Sequence, residues 1–178
     1  CGKTSSEKIF RIKSVKLSKT SYIYTGKAFK PAVTVKDYNG KVLVLGKDYT
    51  VKYSANKAIG TAKVTVTFKG NYSGTKTLNF SIIPAKVATL KLKAKNDAIE
   101  LNWSTVKGAD GYQIISSTDK SFKKDKKTTY IKKQSTKKTT LKKLKDGKKY
   151  YVKIRAYKKV NGKNIFGAYS SVKNVKVK

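Results

Sequence analysis

The chain has 178 residues; 43 are Lys or Arg, 9 are Asp or Glu and none is His, which gives a formal net charge of +34. This length predicts one large or two small domains, and no run of about 18 apolar residues predicts a transmembrane helix. Without His, no Ser-His-Asp or Cys-His catalytic arrangement and no zinc site of the usual Cys/His type can form. The nine scattered carboxylates leave paired-carboxylate glycosidase chemistry formally open, but no pair is marked out by its surroundings. The sequence predicts no enzyme, no metal site and no cofactor.

Residues 1–12 are predicted to be a tether, polar at first and more apolar from Ile9. Its first residue, Cys1, is the only Cys, so it cannot form an intramolecular disulfide. Two interpretations of Cys1 stay open. It is either the lipid-bearing first residue of a mature bacterial lipoprotein or a residue at a fragment boundary. Under the first interpretation, the lipid on Cys1 would be the only contact with a membrane.

Short alternating runs, bounded by Gly, Asn and Asp, fill the first half of the chain. They predict strands at 14–17, 22–24, 33–35, 42–45, 48–53, 62–68 and 77–82. Asn39-Gly40 predicts a hairpin turn, because both residues adopt positive φ at little cost. Short strands with turns every 8 to 12 residues or so indicate a small antiparallel sandwich, and no segment has the 3.6-residue period of a helix.

Two segments of this half carry a family resemblance, YTGKAFKPAVTVKDYNG and GKDYTVKYSANKAIGTAKVTVTFKGNYSGTKTLNFSI. They resemble the bacterial immunoglobulin-like modules of Gram-positive surface proteins. The resemblance implies a spacer, adhesive or stalk unit with no shared active site. We assign residues 13–84 to this module. Pro84 ends it, and a single Pro at the junction predicts a short, rigid linker.

The second half continues the alternation. Strands are predicted at 90–95, 99–103, 112–115, 128–131, 139–141, 150–157, 168–171 and 172–177, with a second hairpin turn at Asn161-Gly162. Residues 118–127 are predicted to be a basic loop in which Phe122 points inward. This half therefore predicts a second antiparallel sandwich.

The segment from Leu144 to Tyr150 predicts the corner of a sandwich. Leu144 precedes the tight turn Asp146-Gly147, and Tyr150 opens an alternating strand. The Tyr150 hydroxyl is expected to hydrogen-bond back to the turn backbone while its ring enters the core. Trp103, the only Trp, lies where a sandwich needs one large core residue.

Four motifs of this half carry a second resemblance: Trp103, GADGYQI around Tyr112, LKDGKKYYVKIRAY and FGAYSS. They resemble a fibronectin type III domain in its bacterial form, over residues 85–178. The hairpin loop VNGKN has no Arg-Gly-Asp, so integrin binding of the animal type is not implied. We assign structural roles to four residues: Trp103, Tyr112, Leu144 and Tyr150.

The predicted fold class is therefore all-β, with two tandem antiparallel β-sandwiches, immunoglobulin-like and then fibronectin type III. The two resemblances imply an exported protein of a Gram-positive bacterium, displayed at the cell surface. The chain is expected to be monomeric.

Basic charge is densest between Lys120 and Lys149, and three interpretations of it stay open. It is a solvated face whose edge lysines block strand pairing, a surface that attracts teichoic acid, anionic lipid or acidic glycan, or a nucleic-acid interface. The 41 Lys against 2 Arg disfavour specific nucleic-acid recognition, because Arg is the bidentate reader of phosphate and guanine. The candidate polyanion-binding residues are Lys123, Lys124, Lys126, Lys127, Lys132, Lys133, Lys137, Lys138, Lys142 and Lys143.

Six aromatic residues near turns or in outward positions are candidates for stacking on sugars: Tyr38, Tyr72, Tyr130, Tyr157, Phe166 and Tyr169. The alternative is that these rings cover the ends of the sandwiches or lie across strands.

The sequence thus predicts a non-catalytic cell-surface spacer or adhesion module, attracted to an anionic cell-wall polymer or glycan through its lysine-rich surface. The alternative is an accessory carbohydrate- or wall-associating region of a larger secreted hydrolase.

Overall fold

The computed structural model describes residues 10–178. Cys1 and residues 2–9 of the predicted tether lie outside the described residues. Within 10–178 the backbone forms strands, turns and loops and no helix, so no helix there could cross a membrane. The predicted all-β class is confirmed.

The chain divides into two compact units. The first contains the described residues up to Tyr22 together with Gly26–Ile82, and the second contains Ile23–Thr25 and Ile83–Lys178.

Six strands span the first half of the chain. They are β1 (Ile12–Leu17), β2 (Ser21–Ile23), β3 (Val33–Asp37), β4 (Tyr49–Ser54), β5 (Gly60–Phe68) and β6 (Thr75–Ile83). β1 pairs with β3, and the other four form a sheet in the order β2-β6-β5-β4. Strand β5 illustrates why these segments form strands. Its residues Ala62, Val64 and Val66 are fully buried and alternate with more exposed Thr and Lys. This is the period-2 pattern of a strand with one buried face.

The predicted strand at 42–45 is absent, which corrects the sequence analysis. This segment makes isolated bridges in place of a strand. The Asp48 carboxylate accepts the Val44 N–H at 2.8 Å and so takes the place of a partner strand. The Asn39-Gly40 turn therefore joins β3 to a loop in which Leu43 and Asp48 are buried.

Eight strands form the second half. They are β7 (Leu90–Lys95), β8 (Ala98–Trp103), β9 (Gly111–Ser117), β10 (Lys127–Ile131), β11 (Lys138–Leu141), β12 (Lys149–Val160), β13 (Lys163–Phe166) and β14 (Lys173–Lys176). One sheet has the order β11-β8-β7, and the other has the order β10-β9-β12-β13, with β14 also paired to β12. Both are antiparallel.

The predicted strand at 168–171 is also absent. The last edge of the larger sheet is divided: β13 pairs with the second half of β12 and β14 with its first half. Between them, the Ser170 hydroxyl accepts the Ile154 N–H at 3.1 Å, and the Ser170 N–H donates to the Ile154 carbonyl at 2.7 Å. A side chain thus replaces part of the strand ladder. The predicted hairpin turn at Asn161-Gly162 is present, and both residues have positive φ.

The core of the second unit lies between these two sheets. Trp103 of β8, Ile114 of β9, and Val152 and Ile154 of β12 belong to one buried cluster. The alternate residues of β12, Lys153 and Arg155 among them, fall on the opposite face of their sheet. Strand β12 therefore separates the core from a polar outer face.

Candidate anion-binding surface

The corner at residues 144–150 fixes a lysine-bearing loop to the core. Leu144 and Tyr150 are buried in the core cluster. The Tyr150 hydroxyl accepts the Lys145 N–H at 3.0 Å, and the Leu144 N–H donates to the Asp97 carbonyl at 3.0 Å. The loop backbone is thus anchored at two successive residues.

Trp103 and Tyr112 meet at the other end of the core. Their rings are 5.4 Å apart in an edge-to-face arrangement, the geometry that aromatic quadrupoles favour. The Tyr112 hydroxyl accepts the Val106 N–H at 3.0 Å and donates to the Gln134 carbonyl at 2.9 Å. Both residues therefore organise the core and the loops above it.

All ten candidate lysines are exposed, and they lie in loops or on edge strands. Strand β10 is the edge of one sheet and β11 the edge of the other. Lys123, Lys124, Lys126 and Lys127 lie at the β9–β10 connection, Lys132, Lys133, Lys137 and Lys138 at the β10–β11 connection, and Lys142 and Lys143 after β11. The candidate set is therefore spread along one border of the unit.

Asp119 orders the β9–β10 loop. Its carboxylate accepts the N–H and hydroxyl of Ser121 and the N–H groups of Lys123 and Lys124, at 2.5 to 3.2 Å. The bonds from Ser121, with those from the two lysine backbones, hold the pKa of Asp119 far below its usual range, because each favours the charged form. This carboxylate therefore fixes the backbone that carries the lysines, without neutralising their side chains.

The other carboxylates leave most of the charge uncompensated. Residues 85–178, all of them described, contain 26 Lys and 6 carboxylates. Ion pairs within 4 Å form there at two of these lysines, Lys138 with Glu100 at 3.0 Å and Lys158 with Asp110 at 2.6 Å. Hydrogen bonds from these lysines lower the pKa of Glu100 and of Asp110. Lys138, a candidate for polyanion binding, is thus engaged within the chain.

The structure brings three of the candidate lysines together with three that the candidate set omitted. A cleft of about 900 Å³ opens between the β9–β10 loop and the corner. Six lysines line it, and we call it the lysine cleft: Lys126, Lys127, Lys143, Lys145, Lys148 and Lys149. The remaining candidates lie outside it. The last three lysines belong to the basic tract of the sequence, but their meeting with Lys126 and Lys127 depends on strand register.

The aromatic candidates for sugar stacking are mostly covered. Tyr72 and Tyr157 are buried, so the predicted outward position of Tyr157 is wrong and neither ring is free to stack on a sugar. The Tyr72 hydroxyl donates to the buried Asp37 at 2.9 Å. Tyr38 and Tyr130 keep exposed rings, at 66% and 44% exposure. The sugar-stacking hypothesis therefore loses Tyr72 and Tyr157.

A column of cations and rings covers the outer face of the larger sheet. The Arg155 guanidinium lies 3.6 Å from the Phe166 ring centre and 4.4 Å from that of Tyr169. The Lys153 ammonium lies 4.6 Å from Tyr169 and 4.1 Å from Phe122. Each contact of this kind contributes about 0.5–1 kcal/mol at exposed sites. Phe122 thus packs on the outer face, whereas the sequence predicted an inward position.

No group of three or more Cys, Asp or Glu residues within 10–178 is placed to share a metal ion.

Comparisons with known proteins identify the fold. No family model and no curated protein matches the chain. The chain is similar to a segment of two fibronectin type III domains from chicken tenascin, with 12% identity, 93% of this chain and 99% of that chain covered, and a TM-score of 0.60. A weaker match is to the FN1–FN3 domains of chicken CNTN1, with 16% identity, 94% of this chain and 66% of that chain covered, and a TM-score of 0.46. Another is to a myokine structure, with 14% identity, 53% of this chain and 97% of that chain covered, and a TM-score of 0.43.

The tenascin likeness shows a fibronectin type III-like fold. The immunoglobulin-like assignment of residues 13–84 and the Gram-positive origin stay predictions.

Replacing Tyr150 with Phe tests the corner. The change leaves the Lys145 N–H without its acceptor and is expected to lower the free energy of unfolding by about 1 kcal/mol. The measurement is urea unfolding followed by the fluorescence of Trp103, the only Trp, which reports on the second unit. Tyr151→Phe is the matched control, because the Tyr151 hydroxyl has no hydrogen bond among the described residues. If Tyr150→Phe and Tyr151→Phe lower the free energy of unfolding equally, the proposed role of the Tyr150 hydroxyl is contradicted.

Asp119→Asn tests the loop carboxylate through pH. A lowered folded-state pKa means that Asp119 stabilises the fold above its unfolded pKa, about 3.9, and that this contribution is lost as pH falls. The free energy of unfolding of the wild-type chain should therefore fall on acidification. The variant should have a lower free energy of unfolding at pH 7, and this value should fall less steeply as the pH is lowered. The measurement is unfolding between about pH 7 and pH 2, and superimposable pH profiles would refute the assignment.

Proposed function

We propose that the chain is a non-catalytic spacer or adhesion module at the surface of a Gram-positive bacterium, attracted to an anionic envelope polymer such as teichoic acid or an acidic glycan. The observation that carries the proposal is the uncompensated charge of residues 85–178, where ion pairs engage two of 26 lysines. The fibronectin type III-like fold supports the spacer role.

Electrostatics alone can supply such attachment. A surface of one sign raises the local concentration of a counter-charged polymer and its association rate, in a salt-dependent way. Lysine ammoniums are strongly hydrated point charges on flexible stems. They favour binding to many anionic groups along a polymer over recognition of one defined base or sugar, which also argues against a specific nucleic-acid partner.

Attachment to the cell would begin at Cys1 if that residue carries a lipid, because acyl chains buried in the bilayer anchor a protein to the membrane. The sequence encoded upstream of Cys1 tests this part of the proposal. A signal peptide that ends in a lipid-attachment motif would support it, and a preceding folded domain would exclude it.

The second candidate is an accessory region of a larger secreted hydrolase. Two exposed rings, Tyr38 and Tyr130, and the basic surface favour wall association for such a region as well. A catalytic domain encoded before Cys1 would select this candidate.

Binding to purified Gram-positive cell walls tests the charge-based proposal. Walls that retain teichoic acid should bind the chain, and walls stripped of it should bind much less. Over a salt series from about 50 mM to about 500 mM NaCl the affinity should fall steeply, because salt screens exposed charges. The measurement is the bound fraction after sedimentation. Binding that depends neither on teichoic acid nor on the salt concentration would rule out the polyanion proposal.

A further inference from the structure

We infer that the lysine cleft is the place where the second unit holds the phosphate groups of an anionic polymer. The inference rests on the proposed function, since it locates the binding site within the charged surface. The cleft volume of about 900 Å³ lies within the range of about 300–1,000 Å³ that ligand sites occupy. One wall is the β9–β10 loop and the start of β10, with Lys126 and Lys127, and the other is the corner with the residue before it, with Lys143, Lys145, Lys148 and Lys149.

Strand register brings the two walls together. Ser116, near the end of β9, pairs with Val152 of β12 and also with Lys127 of β10. The chain that leaves β9 therefore starts beside the point where the corner enters β12. Ser116 and Tyr150, both buried, line the cleft beneath the lysines.

Hydrogen bonds hold the first wall in place. The Ser117 hydroxyl donates to the Lys124 carbonyl at 2.6 Å. The Thr118 hydroxyl donates to the Asp125 carboxylate at 2.9 Å. Asp125 is the one carboxylate among the residues that line the cleft, and Thr118 occupies one of its oxygens. One negative charge therefore faces six positive ones.

The second wall is equally fixed. The Lys145 N–H donates to the Tyr150 hydroxyl, and the backbones of Gly147 and Lys148 exchange hydrogen bonds with Val177, at 3.2 and 3.0 Å. Walls whose backbone is already ordered lose little backbone conformational entropy when the site binds.

The charge of the cleft suits a chain of phosphate groups. Lysine binds phosphate as a point charge, and six lysines line the cleft. Phosphodiester groups repeat along such a polymer, so that different groups can face the two walls. A chain of phosphodiesters would also relieve the mutual repulsion of the six ammoniums.

The test compares two variants of equal net charge in the full chain. The cleft variant carries Lys126→Gln, Lys127→Gln, Lys145→Gln and Lys148→Gln. The control variant carries Lys91→Gln, Lys93→Gln, Lys159→Gln and Lys163→Gln, at four exposed lysines outside the cleft. Each protein is titrated with soluble poly(glycerol phosphate) at about 150 mM NaCl and followed by calorimetry, and unfolding by Trp103 fluorescence checks that both variants are folded.

We expect the dissociation constant of the cleft variant to rise about tenfold or more and that of the control variant to rise less than about threefold. The two variants lose the same net charge, but only the cleft variant loses charges that a cleft concentrates on the ligand. The backbone amide signals of Ser116, Lys127 and Lys145 should shift in the wild-type chain on binding.

Three other outcomes would overturn the inference, and they are distinguishable. If the two variants lose affinity for poly(glycerol phosphate) equally, the proposed function stands but the cleft is not its binding site. If the wild-type chain binds no anionic polymer, both the proposed function and the assignment of the cleft as its site are wrong. Binding to phosphatidylglycerol vesicles without binding to poly(glycerol phosphate) would assign the phosphate to a lipid headgroup and exclude the polymer.

Discussion

Repulsion among lysines is the constraint under which the second unit folds. Its carboxylates are too few to neutralise the lysines, and Asp119 hydrogen-bonds loop backbone and a hydroxyl while Asp125 hydrogen-bonds a hydroxyl. The fold therefore depends on an apolar core, buried between two sheets, to outweigh the repulsion. Most of the lysines lie at edges and in loops, where water and salt screen them and where an external anion can reach them.

Strand β12 connects this core to the charged surface. Its inner residues, Val152 and Ile154, are fully buried. On the outer face, Lys153 and Arg155 lie against aromatic rings, so these two cations contribute to packing. The corner before β12 then carries a different group of lysines into solvent. Lys153 and Arg155 on β12 thus pack against rings, whereas the lysines of the corner are available for binding. The net charge of the unit does not distinguish these two groups.

Period-2 alternation allowed the sequence to predict β5 and β12, because each strand has one buried face. It failed at 42–45 and at 168–171, where the side chains of Asp48 and Ser170 accept backbone N–H groups that a partner strand would otherwise receive. The basic tract was visible in the sequence, whereas the lysine cleft was not. The cleft depends on the register that sets Ser116 beside Val152, and such register is decided by tertiary packing.

The most direct test of the charge account is the thermal unfolding midpoint of the second unit, followed by Trp103 fluorescence, as NaCl rises from about 10 mM to about 150 mM. Over this range the Debye length falls from about 30 Å to about 8 Å. If the lysines are uncompensated, screening should stabilise the folded state and raise the midpoint. A midpoint that stays constant or falls would mean that the charges are already balanced, and it would contradict the account.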